Sequence, residues 1–162
     1  MSEGDAVEKA EFTPVQQQML DFFADGARVL GLPKSVGEIY GMMYGSEDPV
    51  SLDDLVAKLG ISKGSGSQGL KMLRTLGAVR EVDSDSGRKV FYEADTELKS
   101  LVGGFIREEV RPHMKSAKQK IKDMKANAKG EGEFYEQRVK KLNSWRKKAG
   151  LLLPVLQKIL GG

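Results

Sequence analysis

Cysteine is absent from the 162 residues, and histidine occurs once, as His113. The first absence excludes disulfides, thiolate metal sites and cysteine nucleophiles together. The second leaves no histidine cluster for a metal ion, and the sequence assigns no catalytic residue, no metal ligand and no cofactor. No apolar run approaches the roughly 20 residues that a membrane-spanning helix needs. The opening MSEGDAVEKAE is acidic and polar, the opposite of a secretory leader, so a cytoplasmic location is expected. What remains is long enough for one domain, or one domain with an oligomerisation appendage.

Net charge is small, at +3, but unevenly spread. Residues 1–50 carry three basic against nine acidic groups, and residues 51–95 carry seven of each. Residues 96–162 carry sixteen basic against seven acidic groups, a net of +9. A basic carboxy-terminal half suits nucleic acid or an acidic partner. A solvated helical face with surplus lysine is the alternative.

Local signals give the element order. Residues 1–11 lack periodicity and read as disordered. Thr13, Pro14 and Gln16 open a helix with a capping box, and Val15, Met19, Phe22, Phe23, Ala27 and Leu30 form its expected buried face. Ser35, with Glu38 three residues on, is the expected cap of a second helix through Tyr44. Gly37 and Gly41 lie four apart within it, where another helix can approach closely. After the turn GSEDP, Val50 suits a very short strand. Ser51 caps SLDDLVAKL, whose first-turn Asp53 and Asp54 favour a helix N-terminus. Gly60 ends that helix and Ser62 caps the next, giving a helix-turn-helix. The period then changes from 3.6 to 2: residues 78–82 and 88–94 alternate around the turn DSDSG, as a hairpin does. Asp95 is the expected cap of a further helix that Pro112 interrupts, with His113 at the kink. Met114, Ala117, Ile121, Met124 and Ala128 step by three and four, as in a coiled-coil seam. Gly130 and Gly132 break this helix. Tyr135, Val139, Leu142, Trp145 and Ala149 mark one side of the last. LLLPVLQKIL closes the chain with an apolar segment that a second subunit would cover.

The stretch GISKGSGSQGLKMLRTLG (residues 60–77) supports two readings. Gly64, Gly66 and Gly69 match the G-x-G-x-x-G dinucleotide fingerprint, with Asp83 at about the distance of a ribose-binding acid. That fingerprint needs a buried strand before its first glycine. The preceding residues have helical spacing, a cap and no β-branched run, which argues against it. The other reading is a DNA recognition helix carrying Lys63, Ser65, Ser67, Gln68, Lys71 and Arg74. Its glycines would let backbone N–H groups approach a phosphate. Ser62, Ser65 and Ser67 offer hydroxyls and Lys63 a charge to phosphates. Gln68 suits an adenine edge, and Lys71 or Arg74 suits guanine or phosphate. Arg88 and Lys89 on the hairpin suit a minor groove or its phosphates. Solvated side chains are the plain alternative for Lys71, Arg74 and the hairpin cations.

Residues 31–44 (GLPKSVGEIYGMMY), residues 51–82 (SLDDLVAKLGISKGSGSQGLKMLRTLGAVREV) and the following GRKVFYEA resemble the GbsR/MarR group of winged-helix transcriptional regulators. The likeness covers roughly residues 25–95, and SLDDLVAKLGISKGS is its strongest piece. It implies a homodimer that binds double-stranded DNA at an operator with two half-sites. It also implies response to small molecules, with quaternary ammonium osmolytes such as choline as effectors of some relatives. Cations of that kind are held in aromatic cages. Tyr40, Tyr44, Phe91, Tyr92 and Phe105 are the candidates here, with core packing as the competing role.

The expected fold is mainly α with a small β-hairpin. It comprises a disordered N-terminus (residues 1–11), a winged helix-turn-helix domain (12–95, with the helix-turn-helix at 51–76 and the wing at 78–94) and a helical dimerisation region (96–162). The expected function is non-enzymatic, sequence-specific DNA binding in transcription regulation. A winged-helix protein–protein interaction module is the alternative, favoured by the balanced charge of residues 51–95.

Overall fold

The structure, a computed structural model, describes residues 11–83 and 87–160. The disordered segment expected at residues 1–11 falls almost wholly outside them, as does the tip of the hairpin at residues 84–86. The chain divides into two compact units, the first ending at Thr96 and the second beginning at Glu97.

The first unit is built on two closely packed helices, α1 (Pro14–Val29) and α2 (Lys34–Tyr44). Thr13 caps α1 in a full capping box with Gln16. Its buried residues are Leu20, Ala24 and Ala27. Val15, Phe22 and Leu30, expected inside, are exposed. The reason lies on α2. A Cβ on Gly37 would stand 2.2 Å from the Phe23 carbonyl oxygen, and one on Gly41 would stand 2.8 Å from Leu20 Cα. Backbones this close leave room for alanines at the contact, and the larger side chains turn away. Ser35 does not cap α2: the helix begins at Lys34, two residues earlier than such a cap implies, behind Pro33, and Lys34 pairs with Glu38 at 2.8 Å.

A two-residue strand β1 (Val50–Ser51) leads into α3 (Leu52–Leu59), and α4 (Lys63–Thr75) follows. Strands β2 (Val79–Val82) and β3 (Phe91–Ala94) pair antiparallel, and β1 adds to the free edge of β3, giving the order β1-β3-β2. The sheet thus has three strands, and the expected hairpin forms two of them. The core gathers Val36, Ile39, Tyr40 and Met43 from α2, Leu55 from α3, Leu70 and Leu73 from α4, then Leu76, Ala78 and Val79.

Ser51 is buried and opens α3: its Oγ accepts from Asp54 N–H, and Asp54 Oδ2 accepts from Ser51 N–H at 2.9 Å and Ser51 Oγ at 2.7 Å. These hydrogen bonds from Ser51, the side-chain bond foremost, hold the Asp54 carboxyl below its ordinary 3.8. A group with a depressed folded pKa stabilises above its unfolded pKa and loses that contribution as pH falls through the folded value. Ser51→Ala should therefore cost about 1 kcal/mol at neutral pH. Urea unfolding of both forms should show the difference shrinking below the ordinary carboxylate range.

The second unit comprises α5 (Leu98–Phe105), a π-helical turn (Ile106–Val110), α6 (Arg111–Ala128) and α7 (Glu133–Leu160). Asp95 is not the cap of α5; Glu97 stands in the N-cap position, and its side chain does not accept from the first-turn N–H groups. The irregularity expected at Pro112 appears as the π turn just before it, where widened backbone bonding absorbs the proline. Gly132, at φ +105°, turns the chain from α6 into α7. Ile121 and Ala128 of α6 pack with Val139 of α7, and the Arg111 guanidinium bonds to the Gln157 side chain. The inward side of α7 therefore runs through Val139, Asn143, Arg146, Ala149 and Leu153, which are buried or half-buried. Tyr135, Leu142 and Trp145, expected on that side with Val139, are exposed. This helix packs its inner side against α6 and α5 and leaves a second, apolar strip facing outward.

Candidate nucleic-acid interface

The helix-turn-helix is closed by two local devices. Gly60 takes the left-handed conformation at φ +65° and ends α3, which a β-carbon would strain. Two residues later Ser62 caps α4, its Oγ accepting from Ser65 N–H at 3.1 Å. Its own hydroxyl donates to Ser65 Oγ at 3.0 Å. Two of the three serines expected at phosphates are thus engaged with each other, while Ser67 is exposed.

The faces of α4 are sharply divided. Gly66, Gly69, Leu70 and Leu73 are buried. Lys63, Ser65, Ser67, Gln68, Lys71 and Arg74, all of the expected recognition residues in the helix, are exposed. The glycines do not all face the DNA side as expected. A Cβ on Gly66 would stand 2.8 Å from Leu52, and one on Gly69 would stand 2.4 Å from Ile39. These two let α3 and α2 approach the inner side of α4; of the fingerprint glycines, Gly64 alone lies on the outer side. The helix that precedes the fingerprint also removes the dinucleotide reading, which needs a strand there.

Two expected or neighbouring cations are already engaged. Arg74 Nη1 lies 2.7 Å from Glu81 Oε1 on β2. Arg80 pairs with Glu93 directly across the β2–β3 ladder. Glu81 was not legible as a site residue, because sequence spacing gives no rule for a contact across the α4–β2 corner. On the wing, Arg88 and Lys89 are exposed, and Lys89 Nζ stands 5.9 Å from the Phe91 ring centre.

The aromatic candidates divide. Phe23 packs edge-on against Tyr40 with ring centres 4.8 Å apart, and Tyr44 lies 6.0 Å from Tyr40. Tyr40 is 1% exposed, and its hydroxyl donates to the Asp95 carbonyl at 2.6 Å. Burial, then the nearby Asp95 carboxylate, pushes the Tyr40 hydroxyl up to about 12. It ties α2 to the end of β3. Tyr44, Phe91 and Tyr92 are half-exposed, and Phe105 belongs to the second unit.

The chain is 30% identical over 102 residues to the HTH-type transcriptional repressor GbsR of Bacillus subtilis (strain 168). The matched stretch takes in 61% of this chain and 56% of that repressor, so the chain spans little more than half the length of its relative. A crystal structure of a transcriptional regulator shares the fold, with a TM-score of 0.67 over 91% of this chain and 97% of that one, at 18% identity. No protein-family model matches. The chain is thus similar in sequence to the repressor over the matched stretch, and it shares the fold of the solved regulator, with the same kind of element order around α4.

Proposed function

We propose that the chain regulates transcription by binding an operator of two half-sites as a homodimer. The observation that carries this is the division of α4, with its polar residues turned out beside a wing and its glycines and leucines turned in. A helix so mounted enters the major groove with its first turns leading. On this reading, Lys63 and Ser67 meet phosphates, Gln68 reads an adenine edge, and Lys71 reaches guanine or phosphate. With Ser62 and Ser65 bonded to each other, the start of α4 presents backbone N–H groups to a phosphate. Arg88 and Lys89 follow the backbone beside the groove.

The homodimer is supported by α7. Leu142, Trp145, Leu152, Leu156 and Ile159 are exposed at steps of three, seven, four and three, with Leu151, Val155 and Leu160 beside them. Trp145 is 70% and Ile159 72% exposed. So continuous an apolar strip exceeds what monomers leave uncovered, and it has the spacing of a helix–helix seam. Response to a small molecule belongs to the same proposal. Half-exposed Tyr44, Phe91 and Tyr92 would contact it, and a melting shift on adding a quaternary ammonium compound tests that part.

Titrating genomic fragments at several salt concentrations tests the whole. Binding should weaken steeply with salt, and Lys71→Ala should flatten the log–log slope by about 0.9. Retention that ignores salt, or no retention, would point instead to a protein-interaction module.

A further inference from the structure

Arg74 stands in the outward row of α4, yet its guanidinium is already matched. Glu81 holds it at 2.7 Å, and the two side chains are 48% and 46% exposed. The pair therefore sits on the surface that DNA must approach. A carboxylate oxygen at this distance offers the guanidinium what a phosphate oxygen offers, an anionic acceptor for a charge-assisted hydrogen bond. The backbone of Glu81 is held by β2, which places it opposite Tyr92 within the β2–β3 ladder. Its neighbour Arg80 is neutralised in the same way by Glu93. The balanced charge of residues 51–95 is thus partly local, with one acid seated on Arg74 of the recognition helix and another on Arg80 of the strand that follows.

We propose that Glu81 is a specificity-determining residue, a resident competitor that keeps Arg74 from phosphates until a well-fitted site displaces it. The inference rests on the DNA-binding reading above. Random DNA, docked loosely, does not bring a phosphate close enough to replace the carboxylate. An operator seated in full register does. Half-exposed pairs of this kind are weakly held, so the exchange is reversible. Glu81 lowers affinity for every sequence, and lowers it most for the wrong ones.

The test is fluorescence anisotropy with a random-sequence duplex and a retained genomic fragment, from about 50 to 200 mM salt. The proteins are the full chain and its Glu81→Gln, Arg74→Gln and doubly substituted forms, each checked for an intact fold by circular dichroism. Glu81→Gln should bind random DNA about threefold to fivefold tighter, the most that releasing a half-exposed ion pair returns. Its salt slope should steepen by about 0.9, and its preference for the genomic fragment should fall. Arg74→Gln alone should leave random binding nearly unchanged and should abolish the gain from Glu81→Gln. An unchanged affinity and slope in Glu81→Gln would overturn the proposal. So would a gain that persists without Arg74, since that is only the loss of a negative charge. Failure of every form to bind at the lowest salt would remove the DNA-binding reading itself, a result distinct from either.

Discussion

Gly37→Ala is expected to lower the melting temperature by about 10 °C, the larger stability effect of any single methyl group added to the first unit. The added carbon would stand 2.2 Å from the Phe23 carbonyl oxygen and 2.7 Å from Ala24 Cα. Both are backbone atoms, so no side-chain rotation relieves the clash and α1 must move away from α2. Overpacking of this kind costs about 1–3 kcal/mol and sometimes more. The helix propensity gained by removing a glycine returns about 0.5–1 kcal/mol. A net loss of about 2 kcal/mol gives the stated shift in a domain of roughly 100 residues. Gly41→Ala, with Leu20 Cα at 2.8 Å, should behave similarly. Because one displacement of α1 relieves both clashes, the double substitution should cost less than the sum of the two. Gly26 is the internal control: nothing lies within 4 Å of its Cβ position, and Gly26→Ala should stabilise. A Gly37→Ala protein that melts with the parent would refute the close approach of these helices.

Trp145→Asp combined with Leu152→Asp is expected to convert the proposed dimer to a monomer. Both side chains are exposed on α7, so the charges introduced meet water in the single chain and an apolar partner surface in the pair. Burying an unpaired carboxylate is far costlier than leaving it hydrated. Sedimentation should show one chain where the parent shows two, with little change in helix content. DNA affinity should fall at least about a hundredfold, because two linked recognition helices bind at high effective concentration and one does not. A variant that still sediments as a dimer would place the subunit contact elsewhere. A monomer that keeps full affinity would separate dimerisation from DNA binding.

How much was legible in advance follows from the range of the forces involved. The caps at Thr13, Ser51 and Ser62, the stop at Gly60 and the alternation at residues 78–82 and 88–94, of which 79–82 and 91–94 pair as strands, are set within a few residues. They were read from the chain, and with them the outward row on α4. The caps expected at Ser35 and Asp95 failed for a complementary reason. Pro33 and Glu97 start those helices at neighbouring positions, where competing local choices differ by little.

The order helix, helix, helix-turn-helix, wing was thus determined by the sequence itself, because spacing of 3.6 or 2 and capping chemistry act locally. Only the tertiary structure decided what the glycines do. Gly64, Gly66 and Gly69 are equivalent in a motif, but Leu52 and Ile39 occupy the space beside two of them and leave one facing out. Tertiary structure also decided which apolar stripe of α1 and α7 lies inside, since periodicity marks a face without saying what meets it. It decided the state of Arg74 as well. A cation's availability depends on the anion that folding brings beside it, and Glu81 arrives there from another element.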